Sequence, residues 1–149
     1  MKVFVDTNVV FEMLAGRQQA DTIGMIFDWM EDHHTERFLS LGSFYTLAYL
    51  IESLLHQQNE VRPGLTDKLR DILNGILAEF SLSVIGTDNL SEGINDAAFS
   101  DLEDSFQFQS ALASHCDVLL TINIKDFKHA DKANIKVMTP QQFQETFLK

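Results

Sequence analysis

The sequence contains only one cysteine, Cys116, only two prolines and no long apolar run. A single cysteine excludes a disulfide within the chain and fits a reducing compartment. No apolar stretch reaches the roughly 18 residues that suggest a membrane span. Asp6 interrupts the first apolar residues too early for a signal peptide. We therefore expect a cytoplasmic protein with no membrane partner.

Basic residues are also scarce: 11 Lys and Arg stand against 22 Asp and Glu, giving a formal charge of −11. Alone, this argues against a nucleic-acid partner, because phosphate binding normally uses a basic patch. The charge is unevenly distributed, however. The segment between Gly86 and Cys116 has acids but no Lys or Arg, whereas five Lys face four acids from Asp117 onward. An acidic, metal-attracting cluster beside a modestly basic tail is compatible with phosphate chemistry but does not require it.

Apolar residues are plentiful, at 45% of the chain with twelve Phe, which is enough for one core-forming domain over residues 1–149. Short apolar runs predict strands at about 2–5, 37–41, 82–85, 118–121 and 135–137. Helices are predicted at about 8–14, 21–33, 43–56, 66–79, 88–97, 101–115 and 140–148, with Ser43 as the N-cap of the third. This alternation predicts an α/β fold with a mainly parallel sheet of about five strands.

Oxygen-bearing side chains follow two of these strands. Asp6 comes directly after the first, and Asn123 and Asp126 come after the fourth; Asp101 and Asp104 begin a helix expected to pack close by. In such folds, function collects at the carboxyl ends of the strands. Carboxylate and amide oxygens suit Mg²⁺ or Mn²⁺, which can activate a water for attack on a phosphodiester. The sequence therefore predicts a metal site at this edge.

Each of these residues also has an ordinary structural interpretation. Asp6 and Asp101 are good helix N-caps, and Asp104 falls where a capping-box partner or a dipole-stabilising acid would sit. Asn123 could serve only a turn, and Asp126 could form only a local cap or salt bridge. Spacing alone does not choose between these interpretations and metal binding.

Three segments resemble motifs of one family. Residues 3–8, VFVDTN, resemble the opening motif of PIN domains, which include the VapC-like toxins of bacterial toxin–antitoxin pairs. Residues 101–107, DLEDSFQ, resemble the D-x-E-D-x-x-Q run of one PIN branch, and residues 119–127, LLTINIKDF, resemble its ITxNxKDF segment. The segments occur in family order over essentially the whole chain.

The resemblance implies a PIN-like three-layer fold and endoribonuclease activity on single-stranded RNA with Mg²⁺ or Mn²⁺. Asp6 matches the first acid of the family, Asp104 the later helical acid and Asp101 an accessory acid. Asn123 falls where many members have Asp, with Asp126 close behind. We expect Asp6, Asp104, Asn123 and Asp126 to be catalytic.

The resemblance also carries expectations about substrate and partners. Asn8, Ser43 and Lys125 are expected to contact the RNA. An antitoxin protein is the expected inhibitor, with a basic peptide laid across the acidic cleft. The edges of the predicted fold and its apolar helices, rather than the resemblance, suggest a homodimer.

One departure from the family pattern concerns the helix after the second strand. The family usually has an acid near residues 47–49, which read Leu47-Ala48-Tyr49 here. Glu52 is the nearest acid, and it either joins Asp6, Asp104 and Asp101 as a metal ligand or faces solvent. If it faces solvent, the alternative is a degenerate PIN domain that binds RNA or a protein without cleavage. An acidic phosphohydrolase for small phosphorylated molecules is a third interpretation.

Overall fold

The structure is a computed structural model, and it describes residues 1–130 and 134–149. Its strands are β1 (Lys2–Val5), β2 (Glu36–Ser40), β3 (Ser81–Ser83), β4 (Val118–Leu120) and β5 (Lys136–Met138). Its helices are α1 (Thr7–Leu14), α2 (Ala20–Asp32), α3 (Leu41–Gln57), α4 (Gly64–Glu79), α5 (Thr87–Ile94), α6 (Leu102–Ala113) and α7 (Pro140–Phe147). A short 3₁₀ helix spans Ile124–Phe127.

The strands form one sheet in the order β3-β2-β1-β4-β5, and every pairing is parallel. β1 is therefore central, and its last residue, Val5, pairs with Leu120 at the end of β4. The backbone N–H of Asp6 continues the pairing by donating to Leu120 O at 3.0 Å. The carboxyl ends of β1 and β4 are thus neighbours, which confirms the α/β fold and sets Asp6 beside Thr121.

Apolar side chains cover both faces of the sheet, as expected for parallel strands. Val3 and Val5 face a core that they share with apolar residues of α1, α2, α3, α4 and α7. Phe4 faces the opposite side, against Phe108 of α6 and Phe127 of the 3₁₀ helix. Because side chains alternate along β1, one strand serves both cores, and the result is the three-layer arrangement expected from the sequence.

The predicted start of α3 is wrong. The helix begins at Leu41, and its N-cap is Ser40, whose Oγ accepts the Ser43 N–H at 2.9 Å. Both serines are favourable N-cap residues, so sequence preference alone did not separate them. Ser43 consequently lies inside the first turn, with its hydroxyl free to bond other elements.

Other boundaries differ by a few residues. β3 ends at Ser83, two residues before the predicted end, and Val84 beyond it is 67% exposed. The predicted cap of α6 is confirmed, because Asp101 Oδ1 accepts the Glu103 N–H at 2.9 Å. Pro140 lies in the first turn of α7 as expected, behind a capping box. Among the described residues, no helix is long and apolar enough to cross a bilayer.

Candidate active site

Asp6 lies at the junction of β1 and α1, where the chain leaves the sheet. It is 3% exposed, and its Oδ1 accepts the Thr7 N–H at 2.8 Å, so it is the N-cap of α1. Two further donors fix the same carboxylate: Gln107 Nε2 lies 3.1 Å from Oδ1, and Thr121 Oγ1 donates to Oδ2 at 2.8 Å. The cap interpretation is therefore correct, and the carboxylate is also oriented by groups from α6 and the end of β4.

Behind Asp6 lies a buried cluster of hydroxyl groups that share the Gln107 amide. Gln107 Nε2 is 2.8 Å from Thr7 Oγ1 and 2.6 Å from Ser43 Oγ. Ser43 Oγ in turn lies 2.6 Å from Thr7 Oγ1 and accepts from Ser40 Oγ at 2.8 Å. These bonds connect α1, α3 and α6. They hold the starts of α1 and α3 and the middle of α6 together around the carboxylate.

Asp104 lies in the first turn of α6 and is 8% exposed. Its side chain lies within hydrogen-bonding reach of the Asp126 carboxyl group. Burial, followed by the charges of Asp6 and Asp101 and the proximity of Asp126, raises the pKa of Asp104 to about 7. Near neutral pH, Asp104 therefore binds a proton that a cation could replace.

Two other acids of the cluster, Asp6 and Glu103, also have a raised pKa. Burial raises the pKa of Asp6, and the charge of Asp101 adds to this, although the bonds from Thr121, Gln107 and Thr7 oppose it. Burial and then the charges of Asp6 and Asp101 raise the pKa of Glu103. Mutual repulsion in a partly buried cluster is the electrostatic condition that a bound cation relieves.

Of the predicted site residues, Asp6, Asp101 and Asp126 all lie close enough to Asp104 for their charges to raise its pKa. Asp101 and Asp126 are exposed at the rim of this cluster.

The remaining predicted site residues lie around the cluster. Asn123 is exposed at the start of the 3₁₀ helix, and its N–H donates to Thr121 Oγ1 at 3.1 Å. Asn8, near the start of α1, and Lys125, beside Asp126, are both exposed. Ser43, by contrast, is 2% exposed and bonded within the hydroxyl cluster, although it also lines an adjacent cavity.

Glu52 is not brought to the cluster. It lies nine residues after Ser43, which corresponds to about 13 Å along a helix axis. Its carboxylate pairs with Arg62 instead. Leu47 is completely buried in the core and Tyr49 is 69% exposed, whereas Thr46 lines the cavity beside Gln107. Position 46, one turn after Ser43, is therefore an exposed position of α3 that borders the site.

The donor chemistry fits a hard divalent cation, because the converging groups are all oxygens. Within residues 1–130 and 134–149, no three Asp, Glu, His or Cys side chains are already arranged around one metal position.

Sequence reasoning assigned no role to Thr7, Thr121 or Gln107, which hold Asp6 in place. Gln107 carried a signal, because it follows Asp104 by three residues and so shares its helix face. Thr7 directly follows Asp6 at the end of β1, and Thr121 directly follows β4. Both therefore lie at the edge of the sheet where function was expected.

Comparison with known proteins was made on the sequence and on the fold. A family model described as "PIN domain" matches residues 2–125. No curated protein matches the chain. Among solved structures, the crystal structure of VapBC2 from Rickettsia felis, bound to a DNA fragment from their promoter, superposes with a TM-score of 0.64 at 15% sequence identity. The match covers 93% of this chain and 98% of that chain, and it shows a shared fold.

Proposed function

The chain belongs to the PIN domain family, and from that premise we propose that it is a divalent-metal-dependent endoribonuclease that cuts single-stranded RNA. We further propose that it is the toxin of a toxin–antitoxin pair. The observation that carries the nuclease proposal is the convergence of Asp6, Asp104 and Asp126, from three separate segments, at the carboxyl edge of the sheet.

In this proposal Asp6 and Asp104 hold Mg²⁺ or Mn²⁺ directly, and Asp101, Asp126 and Asn123 contribute through water. When bound, the ion supplies a Lewis acid that stabilises charge on phosphate oxygens and favours ionisation of a water. Thr121, Thr7 and Gln107 keep the Asp6 carboxylate in one orientation. Asp126, exposed at the rim, is placed to accept a proton from the attacking water.

The positive groups needed for an RNA backbone lie next to Asp126. Lys125 and Lys128 line a cavity of about 470 Å³ together with Asp126, His129 and residues 97–100. With two Lys and one Asp, this cavity is locally more basic than the whole chain, whose formal charge is −11. We assign it to a phosphate beside the scissile one, with Asn8 contacting the strand from α1.

The proposed inhibitor is a basic antitoxin peptide. An Arg or Lys that reached Asp6 and Asp104 would pair with them and compete with metal. The fold shared with VapBC2 supports a search for such a partner. If a cognate candidate neither binds nor inhibits, the toxin proposal fails while the nuclease proposal stands.

One observation favours a second candidate, a PIN domain that binds RNA or a protein without cleavage. The pairing of Glu52 with Arg62 leaves α3 without a carboxylate at the cluster. A metal held by fewer carboxylates is bound more weakly. We therefore expect slow, manganese-dependent cleavage, with weaker support from magnesium.

A labelled single-stranded oligoribonucleotide, incubated with nuclease-free protein and Mn²⁺, tests the proposal. The parent should cut it, Asp6→Asn and Asp104→Asn should not, and the exposed Asp71→Asn should behave like the parent. If the parent cuts no faster than Asp6→Asn, the non-cleaving candidate is the better account.

A further inference from the structure

A second cavity, of about 340 Å³, adjoins the acidic cluster through Glu103 and Gln107. It lies between the start of α3, the segment after β3, and α6. Its walls are mainly apolar, and its lining includes two aromatic rings, Tyr45 and Phe106, with Val84, Ile85 and Leu90. Spacing along the chain does not reveal this cavity, because its lining comes from three segments that are distant in the sequence.

The cavity is continuous with the cluster. Glu103 and Gln107 both line it, and Gln107 Nε2 is also 3.1 Å from Asp6 Oδ1. A group in the cavity would therefore lie next to Gln107, the side chain that contacts Asp6.

The lining combines exposed apolar side chains with a few polar groups. Tyr45 is 67% exposed, Val84 is 67% exposed and Leu90 is 38% exposed, so large apolar surfaces face solvent at this opening. Polar side chains, among them Thr46 and Gln107, also line the cavity, and Gln107 contacts Asp6. Apolar faces beside a few polar groups match a flat ring that has polar edges.

We propose that this cavity receives one nucleobase of the RNA strand, next to the scissile phosphate, and that Tyr45 is the ring on which the base stacks. This inference rests on the proposed ribonuclease function. The volume of the cavity lies at the low end of the range of about 300–1,000 Å³ for small-ligand sites, so one base fits and a run of bases does not. Single-stranded RNA is commonly held by stacking of unpaired bases on aromatic side chains.

The lining of the cavity favours a nucleobase over a basic peptide as its occupant. The lining is mainly apolar, and Glu103 is the one carboxylate among its described residues. A peptide Arg or Lys would pair with the carboxylates of Asp6 and Asp104, neither of which lines the cavity. A flat, neutral aromatic base instead matches the apolar walls and can stack on Tyr45.

Tyr49 provides a matched control for Tyr45. It lies one turn later on α3, is 69% exposed and does not line the cavity. Tyr45→Ala and Tyr49→Ala therefore remove the same side chain from equally exposed positions of one helix. Tyr45→Trp keeps a stacking surface, so it should retain the function that Tyr45→Ala loses.

The experiment uses a set of oligoribonucleotides, each with a single abasic position, and measures both cleavage with Mn²⁺ and binding by fluorescence anisotropy. In the parent, one abasic position next to the cut should weaken binding and cleavage about tenfold. Tyr45→Ala should weaken binding and cleavage of the intact strand by a similar factor, and the abasic position should then cause no further loss. In Tyr49→Ala and Tyr45→Trp, the abasic position should still weaken binding and cleavage.

The outcomes separate the two proposals. If cleavage occurs and Tyr45→Ala matches Tyr49→Ala on every strand, the base pocket is wrong and the nuclease stands. If no strand is cut but binding shows the Tyr45-dependent abasic penalty, the pocket stands and the nuclease is wrong. If no strand binds, or if Tyr45→Ala weakens only a cognate protein partner, the nucleobase assignment is overturned.

Discussion

Gln107 Nε2 lies 3.1 Å from Oδ1 of Asp6, although 101 residues separate them in the chain. This contact connects the first turn of α1 to the middle of α6 and is buried from solvent. The same amide nitrogen reaches Thr7 and Ser43, so this side chain joins the proposed metal ligand to the buried hydroxyl groups of α1 and α3. Gln107 is accordingly the positioning residue whose alteration should be most informative.

Gln107→Leu should weaken Mn²⁺ binding by about 10- to 100-fold, because loss of an outer hydrogen bond leaves the ligand less well oriented. Gln107→Glu should differ in kind. A further carboxylate against Asp6 would destabilise the metal-free protein, and added Mn²⁺ should restore stability. Thermal unfolding with and without metal checks both variants. Equal Mn²⁺ responses in Gln107→Leu and the parent would contradict the positioning role.

The pKa of about 7 for Asp104 predicts a pH-dependent stability in the absence of metal. Because the folded pKa exceeds the usual value near 3.8, the folded state binds the proton more tightly than the unfolded state. The contribution of Asp104 to the free energy of unfolding should be largest below about pH 4. It should fall by about 1 kcal/mol or more as the pH rises to about 7. Denaturant titrations of the parent and Asp104→Asn at several pH values test this. A pH slope that Asp104→Asn leaves unchanged would contradict it.

Bound metal should offset this loss of stability at higher pH. Binding to the folded state alone stabilises the protein by about 2.7 kcal/mol at a hundredfold excess over Kd. The rise in Tm with Mn²⁺ should be larger at pH 8 than at pH 6, since the ligands must lose their protons. Asp6→Asn should largely abolish the rise, and Asp71→Asn should keep it. Equal rises in all three proteins would place the metal elsewhere.

Thr46→Glu should supply the carboxylate that α3 lacks at the cluster. Position 46 lines the cavity next to Gln107, one turn after Ser43. We expect tighter Mn²⁺ binding and faster cleavage. Tyr49→Glu should change neither, because that position is 69% exposed away from the cavity, and Leu47→Glu should unfold the protein by burying a charge in the core. Metal titrations of the three variants, with a check of folding, decide the matter.

The parts of the fold that depend on local pattern were predictable from the sequence. The apolar run 2–5 ending in Asp6, and the Asp101 cap, needed only strand composition and capping preference. The start of α3 was not predictable, because Ser40 and Ser43 satisfy the same preference. The pairing of Glu52 with Arg62 and the contact of Gln107 with Asp6 depend on how helices pack, which spacing within one helix does not determine.

A crystal of the protein soaked in Mn²⁺ and measured for anomalous scattering tests the central claim most directly. The account predicts an anomalous peak in contact with the carboxylates of Asp6 and Asp104. The soaked Asp6→Asn crystal should lack the peak. An absent peak in the parent at saturating Mn²⁺, or a peak only at other acids such as Glu52, would contradict the account.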